Sequence, residues 1–101
     1  MKNTNYPIPR KKIIGFCQRW NVVEFSLFGS ILHENFDANS DVDVLVSFAP
    51  RAKVSLFDLV EMQAELKGIF KREVDLVEKA GLRNPYRRQE ILQTARRIYA
   101  A

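Results

Sequence analysis

Two apolar runs, Val22 to Phe28 and Asp41 to Phe48, flank a link from Ser30 to Ser40 that is too short to hold a crossover helix. Parallel strands need a connection of a dozen or more residues, so neighbouring strands joined this tightly must run antiparallel. The first run ends abruptly at Gly29-Ser30, where a residue without a Cβ permits a tight turn. The second opens on Asp41-Val42-Asp43, and because side chains alternate along a strand its two carboxylates share one face. Like charges placed together repel. A cation relieves them, and Mg²⁺, which takes a few carboxylates and completes its shell with water and substrate phosphate, suits the pair. A Gly-Ser turn leading into a short helix supplies the complement, presenting N–H groups and a hydroxyl to an anion.

The remaining elements follow from periodicity and punctuation. After Pro7 and Pro9, the segment Lys11 to Trp20 carries Ile13, Ile14, Phe16, Cys17 and Trp20 at helical spacing, and Asn21 ends it. Ser30 to about Glu34 reads as a short helix, followed by a polar loop from Asn35 to Ser40. Ser55 is placed to cap a helix running to about Phe70, with Leu56, Leu59, Val60, Gln63, Leu66 and Phe70 expected on its buried side. Glu73 to Val77 reads as a third strand with Asp75 at its centre, a charge costly to bury among valine and leucine unless it has a task. Gly81 breaks the chain, and Asn84-Pro85 opens a last helix with Ile91, Leu92, Ala95, Ile98 and Tyr99 as its stripe. Helices alternating with strands predict an α/β domain: a small mixed sheet flanked by helices.

The 101 residues, 47% of them hydrophobic, are expected to form one domain over 1–101. No run is long and apolar enough to span a bilayer, and the first residues lack the apolar segment of a signal peptide, so a cytoplasmic protein away from membranes is expected. The single cysteine, Cys17, excludes an internal disulfide and reads as a buried small hydrophobe. The net charge of +4 is uneven, with Arg83, Arg87, Arg88, Arg96 and Arg97 crowding the last quarter. Such arginines suit phosphate or an acidic surface, although a solvated helix face accounts for Arg87 and Arg88 almost as well. Trp20, Phe28, Phe36 and Phe57 read as core or interface. Without interleaved basic and aromatic positions along a strand, nucleic acid is not expected as a direct substrate.

Gly29-Ser30, ten intervening residues and then Asp41-Val42-Asp43, with strands on both sides and Asp75 further on, resembles the signature of the DNA polymerase β-like nucleotidyltransferases, in particular the minimal nucleotidyltransferases. The resemblance implies the nucleotidyltransferase fold and a two-metal Mg²⁺ site on Asp41, Asp43 and Asp75. It makes Gly29 and Ser30 the nucleotide-binding turn and ATP the substrate. It further implies a catalytic role for the three aspartates, with Asp75 orienting or deprotonating the attacking hydroxyl, and a HEPN-domain RNase toxin as partner. AMP would pass from ATP to a tyrosine of that toxin and silence it, which makes the chain an antitoxin; the alternative is a binder that neutralises the toxin by occlusion. One element departs from the resemblance: small relatives carry Ala-Arg-Gly just after the Gly-Ser turn, whereas Leu32-His33-Glu34-Asn35 stands here. A purely structural reading makes Asp41 a turn cap and pairs Asp75 with Lys71 or Arg72.

Overall fold

The computed structural model describes residues 7–32, 37 and 39–101. Helix α1 (Arg10–Trp20) ends where Asn21 takes up the left-handed conformation (φ 58°) and returns its N–H to the Cys17 carbonyl. Strand β1 (Val22–Phe28) then runs antiparallel to β2 (Val42–Phe48), as the short link between them requires. Helix α2 (Leu56–Phe70) begins in a capping box: Ser55 Oγ accepts from the Asp58 N–H at 3.0 Å, and Asp58 Oδ2 accepts from the Ser55 N–H at 3.0 Å. This helix is the crossover that brings the chain back as β3 (Val74–Glu78), parallel to β2. Helix α3 (Pro85–Thr94) starts at Asn84, whose Oδ1 accepts from the N–H groups of Tyr86 and Arg87.

The apolar stripe expected to carry the last helix to Tyr99 is instead divided. Ala95 turns to extended backbone (ψ 140°), and Arg96–Ala100 form β4, antiparallel to β1 on the side away from β2. The sheet therefore has four strands in the order β3-β2-β1-β4. Without β4 the apolar β1 would be an open edge, and pairing along that edge outweighs the helical spacing of Ile98 and Tyr99. The short helix expected from Ser30 is a single 3-10 turn, Gly29–Leu32, and residues 33–36, on which its end, most of the stretch in place of Ala-Arg-Gly and the expected Phe36 reading fall, lie outside the described residues.

Alternation along the strands divides the molecule into two layers of core. On one face Phe25 and Leu27 of β1, Val42, Val44 and Val46 of β2 and Val74 of β3 pack under α1 and α2, meeting Ile13, Phe16, Met62, Leu66 and Phe70. The Phe16 and Phe25 rings meet edge to face with centroids 6.1 Å apart. Here α2 departs from expectation, because Met62 belongs to its buried side while Leu56, Phe57 and Val60 are exposed. On the other face a smaller cluster, Phe28, Leu45, Leu82 and Ile91, seats α3. Cys17 is buried in the larger core, which pushes its thiol pKa up to about 12. No helix among the described residues is long and apolar enough to cross a membrane.

Candidate active site

The aspartates lie on the α3 face of the sheet because Asp43 alternates with the core residues Val42 and Val44. In the parallel register Asp43 stands beside Asp75, and in the antiparallel register it stands opposite Phe28, the residue before Gly29. Two pairings thus bring three sequence-distant residues, Gly29, Asp43 and Asp75, to one end of the sheet. Asp43 is half-buried, and its pKa is raised above the ordinary carboxylate range, first by burial and then by the charges of Asp75 and Asp41; Arg87 of α3 pulls it back down.

Gly29 has φ +77°, a backbone conformation that glycine adopts without strain. A Cβ here would overlap Asp43 Oδ2 and come within 3.1 Å of Asp43 Cγ, so the turn and the carboxylate occupy one tightly shared space. Ser30 follows within the same 3-10 turn, half-buried, and Ile31 anchors that turn in the core.

Asp41 precedes β2 and is exposed, yet the backbone that carries it is held firmly. The Val42 N–H donates to the Glu73 carbonyl at 2.9 Å. Arg72 Nη1 donates to the carbonyls of Asp37 at 2.7 Å and Ser40 at 3.0 Å, tying the loop before Asp41 to the start of β3. Within that loop Asp37 Oδ1 accepts from the Asn39 N–H at 2.8 Å. Arg72 thus holds this loop in place, whereas the structural reading of the sequence offers it as a partner for Asp75. A guanidinium reaching backbone carbonyls this distant in sequence leaves no trace in spacing.

Asp75 is exposed rather than sunk in an apolar strand. Strand β3 is the sheet edge, so the expected desolvation cost does not arise. Among the described residues, no three His, Cys, Asp or Glu side chains form a ready-made metal cage. That arrangement still fits Mg²⁺, which is bound through one or two carboxylates together with substrate phosphates rather than by an all-protein cage. The donor set, hard carboxylate oxygens that repel one another at a half-buried position, matches the same ion.

Beside the aspartates, a cleft of about 630 Å³ opens between the Gly29 turn and α3, lined by Phe28, Gly29, Leu32, Arg87, Glu90, Ile91 and Thr94. Its size is that of small-molecule sites. A second cleft of about 520 Å³ lies at the far end of β2, around Phe48, Pro50, Lys79 and Arg88, away from the Gly29 turn.

Comparison with known proteins agrees with this geometry. Residues 10–98 match the nucleotidyltransferase domain family. A candidate protein adenylyltransferase of Methanocaldococcus jannaschii is 31% identical over 81 residues, covering 80% of this chain and 79% of that protein. Protein adenylyltransferase MntA of Thermococcus cleftensis is 34% identical over 67 residues, 66% of each chain. Among solved structures, a toxin–antitoxin crystal structure with AMP-PNP superposes with a TM-score of 0.74 at 21% identity, covering 91% of this chain and 73% of that one. The complex of a tri-AMPylated Shewanella oneidensis HEPN toxin with its MNT antitoxin gives 0.67 at 20% identity, covering 92% and 71%. A structure described as a minimal nucleotidyltransferase gives 0.71 at 30% identity, covering 86% of both chains. The Gly-Ser turn set against Asp43, the Asp43–Asp75 register and the match along residues 10–98 point the same way: this chain belongs to the nucleotidyltransferase domain family, in its minimal nucleotidyltransferase branch, and is a nucleotidyltransferase.

Proposed function

We propose that the chain, acting as a single catalytic domain, transfers AMP from ATP to a tyrosine hydroxyl of a HEPN-domain toxin and thereby serves as its antitoxin. The observation that carries this reading is the register pairing Asp43 with Asp75 under the Gly29 turn. The names of its relatives, protein adenylyltransferases, and the AMPylated toxin bound to a protein of the same fold support the choice of acceptor.

In this reading the Gly29 turn and the Ser30 hydroxyl hold the triphosphate against the sheet end, where a side chain at position 29 would exclude it. Asp41, Asp43 and Asp75 are the residues that would hold Mg²⁺, whose charge, when bound, offsets that of the phosphates. Asp75, exposed at the sheet edge, is reachable by a hydroxyl carried on another protein. Its carboxylate orients that hydroxyl and accepts its proton as the oxygen bonds to the α-phosphorus. The bond from the α-phosphorus to the bridging oxygen breaks, and pyrophosphate leaves.

The test is to incubate wild type and Asp75→Asn with labelled ATP, Mg²⁺ and the HEPN partner, following label on tyrosine and RNase activity together. Wild type should label and silence the toxin. Asp75→Asn should still bind ATP yet lose about 10²-fold or more in transfer, the scale of a lost acid–base or metal function. Equal transfer by both would remove Asp75 from the mechanism. An unlabelled but silenced toxin would instead establish neutralisation by occlusion.

A further inference from the structure

The start of α3 violates the usual arrangement of charge on a helix. The N-terminus is the positive end of the macrodipole and favours acidic residues. Here the first turn contains no acidic residue, and Arg83, Arg87 and Arg88 gather at or just before it. Arg88 is occupied, its Nη1 donating to the Lys79 carbonyl at 3.3 Å beside the far cleft. Arg87 points the other way, into the cleft it shares with Gly29. Among the described residues its guanidinium makes no hydrogen bond and no ion pair, although its charge bears on Asp43. Glu90, one turn on in the same cleft, is not bonded to it.

The Gly29 turn therefore stands between two opposed walls of charge: Asp43, against the turn itself, with Asp75 beside it and Asp41 just before the same strand, and on the cleft side Arg87. A simple anion would be repelled by the first wall and a simple cation by the second. The ligand that satisfies both carries divalent metal on one side and several phosphate charges on the other. We infer that Arg87 is a substrate-binding residue whose guanidinium grips the β- and γ-phosphates of a metal-bound nucleoside triphosphate, the group that departs as pyrophosphate. The inference rests on the reading of this site as a metal–triphosphate site. The planar fork of arginine suits two phosphate oxygens at once, and a phosphate on it relieves the unfavourable charge at the helix start. Glu90 and Thr94 lie further along α3 toward β4, away from the aspartates. A carboxylate repels phosphate and accepts from hydroxyl or amine, so that end of the cleft takes the nucleoside.

Binding of three probes, each with Mg²⁺, tests this in wild type, Arg87→Ala, Arg87→Lys and Arg88→Ala: ATP, inorganic tripolyphosphate and AMP. Arg87 is exposed, so its removal leaves the core intact. Arg87→Ala should weaken ATP and tripolyphosphate by about 10- to 100-fold, the loss of one charged hydrogen-bonded contact, and AMP by less than about 2-fold. Arg87→Lys should recover part of the loss, and Arg88→Ala should match wild type. Unchanged ATP affinity in Arg87→Ala would overturn the inference, as would equal weakening of AMP. Failure of wild type itself to bind ATP with Mg²⁺ would instead overturn the reading of the site.

Discussion

Replacing Gly29 by alanine separates the fold from the chemistry, because the two respond to that methyl group through different atoms. The backbone at φ +77° disfavours any Cβ, at a cost of about 1–3 kcal/mol for a non-glycine residue held in such a conformation. The added methyl also overlaps Asp43 Oδ2 and crowds Asp43 Cγ at 3.1 Å, but these atoms are the far end of a short side chain that can swing aside. Neither α1 nor α2, which cover the larger core, is touched. Stability should therefore fall by only about 1–3 kcal/mol, and at 4–8 °C per kcal/mol for a domain of this size the midpoint should drop by roughly 4–24 °C. On the proposed reading activity faces a harsher test, since Asp43 cannot yield to the methyl and still face the turn that would hold phosphate. Misplacement of a catalytic group by about 1 Å costs on the order of 10²-fold, so AMP transfer should fall at least that far in protein that remains folded. The assay pairs thermal or urea unfolding with transfer of labelled AMP below the midpoint. A folded Gly29→Ala protein transferring within about 3-fold of wild type would refute the shared-space argument.

Two further substitutions probe the charge and the core. Asp43→Asn keeps the shape while removing a half-buried like charge, so urea unfolding should show a small gain in stability, while transfer should drop by about 10²-fold or more; a protein that loses stability would show that Asp43 is structurally favourable. Cys17 is held neutral when folded up to about pH 12, whereas the unfolded thiol ionises near 9.0, so the native chain holds one more proton across that window. Stability due to this group is intact below about pH 9 and declines by up to about 1.4 kcal/mol per pH unit above it. The difference in unfolding free energy between wild type and Cys17→Ala should shrink with that slope from pH 9 upward, and a constant difference would contradict burial of the thiol.

The juxtaposition that makes the candidate site was legible because it is local and repetitive: a glycine where a strand stops, and two aspartates at a spacing that alternation sends to one side. The brevity of the link was enough to orient β1 against β2. Two misreadings have a common physical origin in patterns that admit two solutions. Helix α2 carries apolar residues around most of its circumference, so spacing alone could not favour Met62 over Leu56 and Val60; packing against β2 and β3 made that choice. Ile91, Leu92, Ala95, Ile98 and Tyr99 satisfy helical spacing, yet Tyr99 pairs with Phe25 of β1 and Ile98 falls at the register break of the same strand pair, partners far away in the chain. Asp75 was placed correctly in its strand but wrongly in depth, since whether a strand is an edge depends on the order of the whole sheet.

The parallel pairing of β2 with β3 also sets when, during folding, the site comes into being. The hairpin-like union of β1 and β2 closes a short loop and can form early, giving Gly29 and Asp43 their juxtaposition. Asp75 joins them only after the whole of α2 has formed and docked, because no shorter path leads to the register that sets it beside Asp43. A nascent or partly unfolded chain therefore holds half a site. Ligands that need both strands bind only the finished fold, and they should slow unfolding with little effect on the rate of folding. A chain still emerging from synthesis would hold only half of the candidate site until β3 is in place.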